Sequence, residues 1–496
     1  MAVKDTTLTP AQMAGQLDAP AQKLKVSGDV RLLTRVGLLV LFLLGLILLY
    51  GPKATNGFLF ATTIGVCGLA MWLGPLALIP PAPIGRQLVD PLTLLSTATI
   101  YYVLKGIPIA WGEPSRITAQ FTGFELERSY LKVLLLVGVG LACLFIGYRF
   151  GITLKQPQGG QQKPTPAQPR VFMFAALTIL SLISLVGVLR TLDFDVLALI
   201  KDPFKRTYLS ESGVETGFGG VFFALLEIFG VLIVAGLSCA RPRSTKAILF
   251  WVGAGALVLG VYFLLKSRAQ FLGVVIACMF VVHYKIRRIN FKLMTAFLVG
   301  AILYAYTVSE WRYVSGMSPE ADLGTRVAGL AENVSFEDFG DFILGSDLSD
   351  IHTFVLIENT YGVLTEYHYG GTLLRIVTQL IPRAFWPDKP YDLGVELEQL
   401  WRPGSASGIP PGLFGEMYMN FGSIGVVFGS LLCGLLAALL FRKLVLSGSH
   451  IGLVIYAVIL PRILLAPSAT LANGIFFAVL LVAGVLALLR PQRATT

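Results

Sequence analysis

Residues 412–440 read GLFGEMYMNFGSIGVVFGSLLCGLLAALL. A bilayer core about 30 Å thick needs about 20 apolar residues as helix. This run is longer than that, and its ionisable side chain is Glu416. Reading outward gives about twelve such runs: 32–50, 57–79, 88–110, 130–148, 171–189, 218–239, 247–265, 269–284, 291–309, 412–440, 451–466 and 470–489. The composition agrees. Of 496 residues, 55% are hydrophobic and 14% charged, and the mean hydropathy is +0.73. A soluble domain is about 25% charged. In water this chain would expose large apolar patches and aggregate. A cytosolic enzyme, a secreted disulfide scaffold and a disordered chain are excluded. The fold class expected is all-α, a polytopic transmembrane helical bundle.

The net charge of +10 does not point to nucleic acid, because the bases form no patch with interleaved aromatics. They follow membrane topology instead. With the amino terminus cytoplasmic, the inner segments hold Lys4, Lys23, Lys25, Arg31 and Arg35, then Arg149, Lys155, Lys163 and Arg170. Arg241, Arg243, Lys246, Lys285, Arg287, Arg288 and Lys292 follow. Their acids are only Asp5, Asp18, Asp29 and Asp90. The positive-inside rule then puts both termini in the cytoplasm. The domains expected are a tail over 1–30, spans one to nine over 31–309, a large outer loop over 310–411, spans ten to twelve over 412–490, and a tail over 491–496. The Pro/Gln/Gly-rich stretch 155–170 reads as a flexible inner loop. Cys67, Cys143, Cys239, Cys278 and Cys433 lie in apolar runs without metal-type spacing and read as small hydrophobes. No cleavable leader is expected, since the first thirty residues are polar and no small-residue cleavage site follows the first apolar run.

The outer loop carries the chemistry. Helices are expected over 324–344, with the acids Glu337, Asp338 and Asp341, over 349–365 with Ser349 as N-cap, and over 371–381. The last places Leu373, Leu374, Ile376, Val377, Leu380 and Ile381 at helical spacing with Arg375 and Gln379 on the polar side. It is too short to span, and reads as interfacial or re-entrant. Pro382, Pro387 and Pro390 then forbid regular helix and make a stiff turn presenting Arg383, Trp386 and Lys389. Two cations on a rigid loop meet an anion with little ordering cost. Glu416 sits near the mouth of its apolar helix with Asn420 one turn away on the same face, and ionisable groups in spans are rare and usually functional.

At these residues the sequence resembles the oligosaccharide repeat-unit polymerases, the Wzy-type O-antigen and exopolysaccharide polymerases. The matching features are Pro382-Arg383-x-x-Trp386-Pro387-x-Lys389-Pro390 after Tyr369-Gly370-Gly371, Gly415-Glu416-x-Tyr418-x-Asn420-Phe421-Gly422, and Lys266-Ser267-Arg268. They cover best about 260–440. The resemblance implies a GT-C-like bundle of the polymerase and ligase subclass, with one large, mostly helical outer loop, in the bacterial inner membrane. It implies donor and acceptor oligosaccharides linked to undecaprenyl pyrophosphate, membrane lipids as surroundings, a chain-length-regulating membrane protein as partner, and neither metal nor nucleotide-sugar cofactor. The early outer loop 51–56 has no acid, unlike the many GT-C enzymes with a carboxylate there. An O-antigen-ligase-like transferase and a lipid-linked-sugar flippase or secondary transporter are the alternatives.

Such a reaction has three needs. A pyrophosphate must be held, for which guanidinium forks suit best: Arg268, Arg312 and Arg383 are candidates, with Lys389, and Arg206 and Arg462 come after them. An acceptor hydroxyl needs a general base: Glu416, His352, Glu366 and His368 are the candidates on the outer face. His283 and His450 fall on the cytoplasmic side. Sugars need stacking and hydrogen-bonding surfaces: Trp386, Tyr369, Tyr418 and Asn420 are candidates.

Overall fold

The computed structural model describes residues 28–75, 90–112, 126–154, 167–190, 194, 219–239, 245–264, 268–286, isolated positions between 296 and 314, 323–333, 350–378, 381, 385–386, 388–390, 392–401, 408–447 and 449–491. In chain order the elements are α1 (Gly28–Tyr50), α2 (Gly57–Leu73), α3 (Pro91–Leu104), α4 (Ile107–Ala110), α5 (Leu126–Thr153), β1 (Ala167–Pro169), α6 (Val171–Arg190), α7 (Gly219–Cys239), α8 (Thr245–Leu264) and α9 (Arg268–Val281). They continue with α10 (Leu323–Asn333), α11 (Asp350–Thr360), α12 (Gly371–Thr378), α13 (Leu393–Trp401), α14 (Gly412–Phe441), α15 (His450–Leu465), α16 (Leu471–Leu488) and β2 (Leu489–Pro491).

Among the described residues, 7 helices are long and apolar enough to cross a membrane, and shorter apolar helices cover Gly57–Leu73, Leu225–Cys239, Gly253–Tyr262 and Gln270–Tyr284. The expected span 291–309 falls largely outside the described residues, as do the acids at 337, 338 and 341. Apolar side chains face outward along α1, where Leu33, Leu41 and Leu48 are exposed. On α14, Ile424, Phe428 and Leu432 make an exposed stripe four residues apart. Such surfaces suit lipid and not water.

The bundle is held by close backbone approach. Gly140, Gly147 and Gly151 share one face of α5 at i, i+7 and i+11, and that face meets α14. A Cβ on Gly147 would lie 2.0 Å from the Leu431 carbonyl oxygen, and one on Gly434 would lie 2.0 Å from that of Leu144. Between lipid-facing helices, where apolar burial supplies no net drive, this approach provides the packing. One apolar core joins α2, α3, α5, α11 and α14, and another joins α7, α9, α15 and α16.

Two features differ from expectation. The end of the stretch read as a flexible loop is pinned: β1 pairs antiparallel with β2, Gln168 opposite Arg490. This two-stranded ladder departs from a purely α fold. It marks one end of the bundle, the ladder end. Asp90 caps α3 through the Leu92 amide at 3.0 Å, which gives that acid a structural reason. Of the helix expected over 349–365, Asp350–Thr360 forms as α11 while residues 361–365 turn, Ser349 lies outside the described residues, and every residue from 351 to 358 is buried. Its central run Phe354-Val355-Leu356-Ile357 is apolar all round, as a helix enclosed by others must be.

Gly434→Ala should lower stability by about 1–3 kcal/mol through overpacking, read as thermal unfolding in detergent. Gly253→Ala, whose Cβ would meet nothing within 4 Å, should leave the transition in place.

Candidate functional site

The site is built on a break in α14. Phe421 (φ −145°, ψ 21°) and Gly422 (φ 62°, ψ −149°) leave helical geometry, so the expected continuous span 412–440 is two arms, 412–420 and 423–441. The first arm folds against the second. A Cβ on Gly425 would lie 2.1 Å from the Met417 carbonyl oxygen, whereas a straight helix would separate those residues by about 12 Å. Ser430 Oγ donates to Met417 Sδ at 3.7 Å. Gly422 occupies a φ/ψ combination open essentially to glycine alone.

A break frees carbonyls that an apolar surrounding cannot hydrate. Met419 O accepts from the His368 amide at 2.9 Å and Asn420 O from the Tyr369 amide at 3.0 Å. The Asn420 side chain completes the join. Its Oδ1 accepts from the Gly370 amide at 2.9 Å. Its Nδ2 donates to Thr372 Oγ1 at 2.7 Å and to Glu416 O at 2.8 Å. Tyr369 (φ 48°) and Gly370 (φ 90°) turn the loop into α12. Asn420 is therefore buried structure, and Tyr418, also buried, packs its ring against Tyr367 (6.1 Å) and Phe354 (5.6 Å).

Glu416 is 0% exposed. Its Oε1 accepts from the Ala472 amide at 3.2 Å and its Oε2 from the Leu471 amide. Thr470, at the N-cap position of α16, makes no side-chain cap bond. The carboxylate of α14 thus caps α16, where a negative group also meets the favourable end of the helix dipole.

Beside the break lies a polar cluster. Arg375 on α12 donates from Nη2 to Glu396 Oε2, with Glu396 on α13. Glu396 Oε1 stands 3.3 Å from His368 Nε2. The three side chains are 13%, 35% and 23% exposed for Arg375, Glu396 and His368. Burial works to raise the Glu396 pKa, but the contacts to His368 and Arg375 outweigh it and hold the carboxyl below its ordinary value. Tyr361 covers the His368 ring at 5.4 Å. Asp392, at the start of α13, accepts from the Gly394 amide at 2.9 Å and from the Asn473 side chain of α16. The cluster is thereby tied to the bundle. On α12, Leu374 and Val377 are exposed, as is Phe385 after it. The helix that carries Arg375 therefore also presents exposed apolar side chains.

His352 is buried, with Nε2 2.9 Å from Lys105 O. Glu366 is exposed on the loop before His368. Tyr369 and Trp386 are exposed. Lys389 donates from Nζ to Ile381 O at 3.0 Å, which closes its turn. Arg268 opens α9, and Arg312 and Arg383 lie outside the described residues. A second polar spot joins α7 to α15: Arg462 Nη2 is 2.7 Å from Glu227 Oε1 and its guanidinium lies 4.8 Å from the Phe477 ring. Those two residues line a cleft with Gln270 of α9. Sequence reasoning missed Glu396. An acid in a polar loop carries no signal until α12 and α13 are brought together.

Two curated proteins named O-antigen polymerase, from Salmonella typhimurium and Salmonella typhi, are each 26% identical to the chain over 340 residues, covering 66% of it and 70% of their own length. No family model and no solved structure matches.

Asn420→Ala leaves the Gly370 amide without its acceptor and should cost about 1–3 kcal/mol. Glu416→Ala, which uncaps α16, should cost about 0.5–2 kcal/mol. Thermal unfolding checks both. Because the Glu396 carboxyl is lowered, the stability it contributes is present above the ordinary carboxylate range and is lost as pH falls through its folded value. Hydrogen exchange in α12 and α13 should rise at that acid limit, and Glu396→Gln should remove the dependence.

Proposed function

We propose that the chain is a membrane glycosyltransferase of the Wzy type, joining undecaprenyl-pyrophosphate-linked oligosaccharide repeat units for O-antigen or exopolysaccharide. It works at the outer face of the bacterial inner membrane, within a GT-C-like bundle of about twelve spans and with both termini cytoplasmic. Neither metal nor nucleotide sugar takes part.

The observation that carries the reading is the polar cluster of His368, Arg375 and Glu396, whose Arg375 shares the short helix α12 with the exposed apolar side chains Leu374 and Val377. A substrate with an isoprenoid tail and a sugar diphosphate head needs both surfaces side by side. The similarity to two O-antigen polymerases supports the same reading.

In this reading Arg268, Arg312, Arg383 and Lys389 hold the diphosphate, which is substrate and then leaving group. Arginine suits the task because its fork stays charged and binds phosphate bidentately. Trp386 and Tyr369, both exposed, offer sugars a stacking face. Tyr418 and Asn420 act behind them by holding the loop. Transfer joins the anomeric carbon of the donor glycan to a hydroxyl of the acceptor unit as the bond to the diphosphate breaks, and the carrier departs as polyprenyl diphosphate.

Purified protein with a synthetic lipid-diphosphate repeat unit should yield a ladder of lengthening products without metal or nucleotide. A single transfer onto lipid A core would mean a ligase, and gradient-driven flux without product a transporter. Arg268→Ala and Arg383→Ala should each abolish chain growth while the protein stays folded. Near-normal product lengths in either variant would remove that residue from the site.

A further inference from the structure

Of the groups nominated for taking the acceptor proton, Glu416 has both oxygens on the amides of α16. His352 is 2% exposed and turned to a backbone carbonyl. Glu366 is exposed, with no neighbouring group among the described residues to orient it. His368 is different. Its backbone is fixed by the bond from its amide to Met419 O at 2.9 Å. Its ring is bounded by Tyr361, and its Nε2 lies 3.3 Å from a carboxylate that Arg375 holds in turn.

We propose that His368 is the catalytic base of the transfer, that Glu396 orients its ring, and that Arg375 orients Glu396. The inference rests on the polymerase reading above. The Nε2 contact has the distance of a hydrogen bond but not its alignment. Catalytic hydrogen bonds are often misaligned without substrate and tighten when it binds. With Nε2–H directed at Glu396, the lone pair sits on Nδ1. As the acceptor oxygen bonds to the donor anomeric carbon, its proton passes to Nδ1. The electron pair of the breaking carbon–oxygen bond leaves on the diphosphate, and the imidazolium later gives its proton to water. The Glu396 negative charge stabilises that transient imidazolium, and Arg375 keeps Glu396 ionised and in place. The arrangement of a carboxylate that orients a base follows general catalytic logic. Here it is built from a loop and two short helices.

The test uses the full-length protein in nanodiscs with a synthetic lipid-diphosphate repeat unit, and reads initial rates and donor KM. His368→Ala and His368→Gln should each lower kcat by about 10²–10⁴ with donor KM little changed, and added imidazole should restore part of the rate to the alanine variant. Glu396→Gln should lower kcat more than KM, and Glu396→Asp should recover part of the loss, which a purely structural role would not show. The two histidine variants guard against a folding defect in one, and their unfolding transitions are read alongside. Rates within about threefold of the native protein for a folded His368 variant would overturn the assignment while leaving the polymerase reading intact. Absence of any ladder from the native protein would overturn the polymerase reading and this inference with it.

Discussion

The structure depends on what happens to two carbonyl groups. Where α14 breaks at Phe421 and Gly422, Met419 O and Asn420 O lose helical partners in surroundings that offer little water. An unpaired buried polar group costs about 1–3 kcal/mol, so the break persists only with replacement donors. The amides of His368 and Tyr369 are those donors, and Asn420 adds further bonds. One local defect thus fixes the position of a loop some fifty residues earlier in the chain. The same arm carries Glu416, whose carboxylate caps α16. Helix break, loop and following helix form one connected unit.

That unit explains why polar chemistry can sit at the edge of an apolar bundle. The close approach of α5 and α14 through Gly147 and Gly434 supplies a stiff frame. The loop fixed by the break delivers His368, α12 delivers Arg375, and α13, tied to α16 through Asp392 and Asn473, delivers Glu396. The charges are paired, so none is left bare beside lipid, and each side chain keeps some exposure. Residues that looked like site groups in isolation, Asn420 and Tyr418, serve by holding others. A motif can be functional without each of its members touching a substrate.

Much of the frame was legible in the sequence. Apolar length marks the long helices, since a spanning helix must satisfy its backbone internally. The spacing of Leu373, Leu374 and Val377 marks α12, and Glu416 and Asn420 lie one turn apart, joined by the Asn420 Nδ2 to Glu416 O bond. Cys67 is fully buried, as its apolar run suggested. What the sequence hid was pairing at a distance. Phe421-Gly422 sits in an apolar run rich in glycine, so periodicity passes over it. Glu396 becomes notable only beside His368 and Arg375. Burial of α11 depends on helices that enclose it, and the partner of the 167–169 segment lies at the far end of the chain.

The central claim is that the two arms of α14 fold against each other. Cysteines at Met417 and Gly429, in a chain whose five native cysteines are replaced, test it directly with a short thiol cross-linker. A Cβ on Gly429 would lie 2.8 Å from Met417 Sδ, so rapid cross-linking in the membrane is predicted. A continuous helix would hold the two positions about 18 Å apart, and failure to cross-link in folded protein would contradict the account.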